Sequence, residues 1–179
     1  MKRNDKSTAD LSFLFCLDIS TKSYYTKNVR FHTIGGVHLN QAIKRFNHLI
    51  GETDAVYHEM SLKSGLSDSA MKILYTICDC GECCLLHEIC RRSGMSKQTA
   101  NSALRKLESE GIVFLEAANA KNKNVRLSEK GKKLAQKTAM KILQFENEIW
   151  ASWPQKDVEK YLELTEDFLI KLREKAKNM

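Results

Sequence analysis

The stretch Gly94-Met95-Ser96-Lys97-Gln98-Thr99-Ala100-Asn101-Ser102-Ala103-Leu104-Arg105-Lys106-Leu107 decides the fold. Gly94 suits the left-handed end of one helix, and Ser96 suits the N-cap of the next. At about 100° per residue, Ala103, Leu104 and Leu107 fall within about 60° of Ala100 and make a narrow buried stripe. Gln98, Asn101, Ser102 and Arg105 gather on the opposite side. Those four are not the glutamate and lysine mixture of a merely solvated face. Amide, hydroxyl and guanidinium groups pair with base edges, Gln or Asn with adenine and Arg with guanine. Ser96, Lys97 and Thr99 stand at the helix start, where free backbone N–H groups favour a phosphate, and Lys106 adds a cation further along.

Outward from this helix, the flanking segments complete a unit. Ser67 and Asp68 cap a helix whose inner face is Ala70, Ile73, Leu74 and Ile77, closed by Gly81. A short helix of roughly Leu85 to Arg92 leads into Gly94. After Glu110-Gly111, Ile112-Val113-Phe114-Leu115 and Val125-Arg126-Leu127 are β-rich and enclose a small polar segment, a hairpin carrying Lys121, Lys123 and Arg126. Two short helices around a glycine turn, followed by a basic hairpin, spell a winged helix-turn-helix. Such a wing lies along a phosphate strand or enters a minor groove.

Amphipathic helices flank the unit. Leu39, Ala42, Ile43, Phe46, Ile50, Tyr57 and Met60 recur at helical spacing before it. After it, Ser128-Glu129-Lys130-Gly131 opens a long helix expected to reach Trp150, and Trp153-Pro154 interrupts it. A last helix carries Val158, Tyr161, Leu162, Phe168, Leu169 and Leu172. The reading divides the chain into an extension expected to be flexible (1–36), a first dimerisation helix (37–66), the winged helix-turn-helix (67–128) and C-terminal dimerisation helices (129–179). The fold class is mainly α with a small β-hairpin wing.

Composition agrees. In 179 residues there are 1 Pro and 8 Gly, too few breakers for a β-sandwich, and the net charge of +7 is compatible with a polyanionic partner. The apolar run 11–17 is too short to span a bilayer and lacks a cleavage site. A cytoplasmic protein with reduced thiols, no cofactor and no membrane partner is expected. No phosphate-cradling glycine loop, His-Glu-x-x-His or nucleophile elbow is present, so an enzyme is not expected.

Residues from about 38 to 177 resemble MarR-type winged-helix regulators. Gly94 to Thr99, Leu104-Arg105-Lys106-Leu107-Glu108, Gly111-Ile112-Val113 and Leu127-Ser128-Glu129-Lys130-Gly131 carry the resemblance through their order and spacing. It implies a homodimer that binds a pseudo-palindromic operator in double-stranded DNA, usually as a repressor released by a small, often aromatic, ligand or by an oxidant. One departure stands out. The family's Asp-x-Arg element in the wing is here Asn119-Ala120-Lys121.

Cys78, Cys80, Cys83 and Cys84, with His87 and Cys90 beyond, form a conspicuous cluster. A thiolate metal site or an oxidation switch is the sharp reading, and a metal-sensing regulator the corresponding alternative function. Against it, Cys78 and Cys80 diverge on a helix, Cys83-Cys84 are expected at a turn, Cys90 suits a small buried position, and no Lys or Arg falls between Cys78 and Cys90. A winged helix used as a protein-interaction module is the other alternative. The basic wing and polar reading face argue against that one, since an interaction face exposes apolar anchors.

Overall fold

The computed structural model describes residues 32–34, 37–81, 83–118 and 123–179. It divides into two units, Met1–Ile50 and Gly51–Met179. In the first, β1 (His32–Ile34) pairs antiparallel with β2 (Val37–Leu39), His32 opposite Leu39. Strand β1 falls within the stretch 1–36 that the sequence reading assigns to an extension. The rest of the extension, 1–31 with Cys16 and the 11–17 apolar run, lies outside the described residues. Helix α1 (Gln41–Lys63) begins here, with the Asn40 side chain accepting from the Ala42 N–H at 2.8 Å, and continues into the second unit.

The second unit is built on α2 (Asp68–Asp79), capped by Ser67, whose hydroxyl accepts from the Ala70 N–H. Its Ile73, Leu74 and Ile77 are fully buried, and they form one core with Ile89 of α3 (Leu86–Ser93) and Leu104 and Leu107 of α4 (Lys97–Ser109). The sheet closes that core. It has the order β3-β5-β4, from β3 (Cys83–Leu85), β4 (Val113–Ala117) and β5 (Lys123–Leu127). β3 is absent from the sequence reading, which put Cys83-Cys84 at a turn. Only tertiary pairing, Cys84 opposite Val125, makes so short a segment a strand.

The expected single helix from Ser128 to Trp150 is two helices, α5 (Glu129–Lys137) and α6 (Ala139–Ala151). Between them Thr138 leaves the helical region at φ −130°, ψ −91°. Its hydroxyl donates to the Leu134 carbonyl at 2.8 Å, a local bond of the kind that bends helices. The break lets Ala135 and Ala139 both bury, small residues over which α5 and α6 each meet α2. No Pro or Gly marks this site. α7 (Gln155–Ala176) follows Pro154 and buries none of its residues within one chain.

The start of α5 is stitched to the end of α4. Ser128 donates its hydroxyl to the Gly111 carbonyl at 2.6 Å, and Lys130 donates to the Glu110 carbonyl at 2.7 Å. A Cβ on Gly131 would stand 2.0 Å from the Ile112 carbonyl oxygen, so glycine is obligatory there.

Candidate nucleic-acid interface

The predicted recognition helix forms where the sequence places it. Gly94 adopts φ +67°, the left-handed value that ends α3 without a Cβ clash. Ser96 then caps α4: its hydroxyl accepts from the Thr99 N–H at 3.1 Å and bonds the Thr99 hydroxyl at 2.8 Å. Both hydroxyls thus serve the helix start, which sets how α4 leaves the turn. Ala100, Leu104 and Leu107 are buried, while Lys97, Gln98, Ser102, Arg105 and Lys106 are exposed and Asn101 is half-buried. Lys106 lies 4.0 Å from Glu110, one turn on.

Helix and wing meet across a groove of about 620 Å³. Lys97, Asn101 and Arg105 of α4 line one wall, and Leu115 and Lys123 of the hairpin line the other. His87 and Cys90 of α3 also line it, and Glu108 is its acidic member. Four of the residues expected to contact DNA, Lys97, Asn101, Arg105 and Lys123, therefore line one groove. The sequence groups His87 with the cysteine cluster, whereas here it lies beside the α4 residues. Cys90 is half-buried rather than buried.

Arg126 stands apart. Its Nε donates to Glu116 Oε2 at 2.6 Å across the β4–β5 pair, so a carboxylate just outside the wing tip partners its charge. Lys121 and the Asn119-Ala120-Lys121 departure lie outside the described residues.

A second concavity, about 630 Å³, opens on the far side of α3, between α1, α2 and α6. Glu146 of α6 bridges two phenols there: Tyr57 donates to Oε1 and Tyr75 to Oε2, each at 2.5 Å. Burial, then the Glu146 carboxylate, pushes the Tyr57 phenol up to about 12, and the same causes raise Tyr75 further. His58 pairs with Asp68 at 2.8 Å, and Arg92 of α3 pairs with Asp79 at 2.8 Å. Arg92 and Ser93 thus connect this crevice to the turn that launches α4. Sequence reasoning missed it. Tyr57, Tyr75 and Glu146 come from three helices, and no spacing links them.

Cys78, Cys80, Cys83, Cys84 and Cys90 are free thiols. Among the described residues no three His, Cys, Asp or Glu side chains converge as a metal site requires. No described helix is long and apolar enough to cross a membrane.

Comparison with known proteins follows these lines. The MarR family model matches residues 64–121. A MarR family regulator from Neisseria meningitidis superimposes with a TM-score of 0.64 at 19% identity, covering 78% of this chain and 99% of its own. MepR from S. aureus, solved with DNA, gives a TM-score of 0.56 at 15% identity over 72% of this chain and 96% of that one. BpsR of Bordetella bronchiseptica, whose DNA binding is regulated by 6-hydroxynicotinic acid, gives 0.51 at 14% identity over 69% and 98%. No curated protein matches the chain.

Proposed function

We propose that this chain, which has the fold of the MarR-family transcription regulators and carries that family's winged helix over residues 64–121, is a homodimeric, sequence-specific repressor of transcription. The observation that carries the reading is the groove that sets Lys97, Asn101 and Arg105 of α4 beside Lys123 of the wing. In this account α4 enters the major groove of double-stranded DNA. Gln98, Asn101, Ser102 and Arg105 read base edges there. Lys97 and Lys106, with the N-terminus of α4 that Ser96 and Thr99 shape, hold phosphates. Lys121, Lys123 and Arg126 follow the adjacent backbone or minor groove, Arg126 less strongly because Glu116 competes for it.

Two copies are needed to read a pseudo-palindromic operator. The apolar side chains that α7 leaves exposed within one chain, Leu162, Leu169 and Leu172 among them, supply a surface for pairing. The protein acts in the cytoplasm. The Tyr57–Glu146–Tyr75 crevice is the place for a small effector, because a ligand that displaces the carboxylate from either phenol, or Asp79 from Arg92, bears on the α3–α4 turn.

A salt titration on random-sequence duplex tests the nucleic-acid part. Affinity is expected to fall steeply, with a logarithmic slope of about −0.9 per phosphate neutralised. Absent or salt-independent binding would instead favour a winged helix that docks another protein.

A further inference from the structure

Gly81, at φ +83°, turns the chain sharply between the C-cap of α2 and strand β3. That turn brings Cys80, the cap residue, against Cys84, at the centre of the strand. Their sulfurs share a hydrogen bond at 2.7 Å, only about 0.7 Å beyond the roughly 2.05 Å of a disulfide bond. Cys83 is excluded from the pair because adjacent strand residues point to opposite faces, and its cross-strand neighbour is Arg126.

The two sulfurs are unlike. Cys84 is 5% exposed, and burial followed by its bond to Cys80 pushes its thiol up to about 12, so it stays protonated. Cys80 is half-buried and reachable from solvent. Arg92, at the end of α3, pairs with Asp79 at 2.8 Å and lies 3.5 Å from Glu88, and the Cys80 sulfur followed by these carboxylates raises its pKa. An accessible sulfur in contact with a buried thiol is an arrangement in which one sulfur is oxidised and the other resolves it to a disulfide.

We propose that Cys80 and Cys84 are a redox pair that closes to an intramolecular disulfide when a hydroperoxide oxidises Cys80, and that the bond weakens DNA binding. The Cys80 thiolate attacks one peroxide oxygen, the O–O bond breaks, and the alcohol (water, for hydrogen peroxide) leaves with the thiol proton. The Cys84 sulfur then attacks the sulfenic sulfur and displaces its hydroxyl, which departs as water with the Cys84 proton. Two thiols lose two electrons, and the hydroperoxide is reduced to alcohol and water. Closing the last 0.7 Å or so draws β3 toward α2. Since β3 pairs with β5 at Cys84–Val125, and β5 carries Lys123, the pull reaches the wing side of the α4 groove. The effect on DNA rests on the function proposed above; the disulfide does not.

The test uses the reduced full-length chain, one equivalent of hydrogen peroxide, then N-ethylmaleimide and tandem mass spectrometry. The expected product has residues 80 and 84 unalkylated and joined, two hydrogens lighter, with the other four of the 6 cysteines alkylated. Cys80→Ser and Cys84→Ser should each abolish it, and Cys83→Ser should leave it. Because Cys84 is in the core, the half-buried Cys80→Ser keeps the test decisive if the other variant misfolds. DNA affinity of the oxidised chain should drop by about fivefold or more and return with reductant. A bond between other cysteines or between two chains would overturn the proposal. So would Cys80 oxidised past sulfenic acid with Cys84 still alkylated, or a formed bond with unchanged affinity. If the reduced chain binds no duplex at all, the regulator reading fails, and the mass result still decides the pair.

Discussion

At Glu146 one carboxylate holds two phenols from different helices, which disfavours the ionised form of both. Burial and the adjacent carboxylate both resist a phenolate and push the Tyr57 phenol up from its ordinary 10.0 to about 12. A folded pKa above the unfolded one means the folded state keeps its proton longer. The contribution of that bond to stability is therefore whole below about pH 10 and is lost as pH rises towards about 12. Tyr57 and Tyr75 should both titrate above the ordinary tyrosine value of 10.0 in an ultraviolet phenolate titration. Glu146→Gln removes the charge that both resist and should bring both midpoints down. Unchanged midpoints would mean that the bridge does not form in solution.

At the scale of elements, the helices of the winged unit were legible because their signals are local. Ser67, Ser96 and Ser128 each cap the helix expected of them, Gly94 takes the left-handed turn, and the Ala100-Leu104-Leu107 stripe is buried. β3 and the α5–α6 break were not legible. A three-residue strand exists through its partner β5, and Thr138 bends a continuous helical pattern through packing on α2. The same distinction holds for the site. The polar face of α4 follows from periodicity, whereas the Glu116 partner of Arg126, the Glu146 bridge and the Cys80–Cys84 contact arise from pairs far apart in sequence or on separate elements.

Two predictions belong to this scale. Gly131→Ala drives a Cβ into the Ile112 carbonyl where α5 is tied to the α4–β4 turn. It should destabilise the protein by about 1–3 kcal/mol or more in denaturant unfolding. A neutral result would show that α5 can shift away freely. In the wing, Lys123→Ala should reduce the salt slope of DNA binding by about 1, and Arg126→Ala by less, because Glu116 already neutralises Arg126. Equal losses would mean that the Glu116 pair opens on binding.

For the whole molecule, α7 presents apolar residues that a single chain leaves in water, Leu169 at 43% and Leu172 at 53% exposed. The proposed homodimer would cover these residues. The purified chain should then run at twice the chain mass in light scattering, and Leu169→Glu should yield monomers with weakened binding to a two-half-site duplex. A wild-type monomer at micromolar concentration would remove the dimer from the account. Reading of sequence by α4 is tested most directly with Arg105→Ala, compared on a duplex selected by the wild-type protein and on random duplex. The account predicts a loss of about 1–3 kcal/mol on the selected duplex, with a much smaller loss on the random one and relaxed preference at a single base pair. Equal losses on both would contradict it, since Arg105 would then touch phosphate alone.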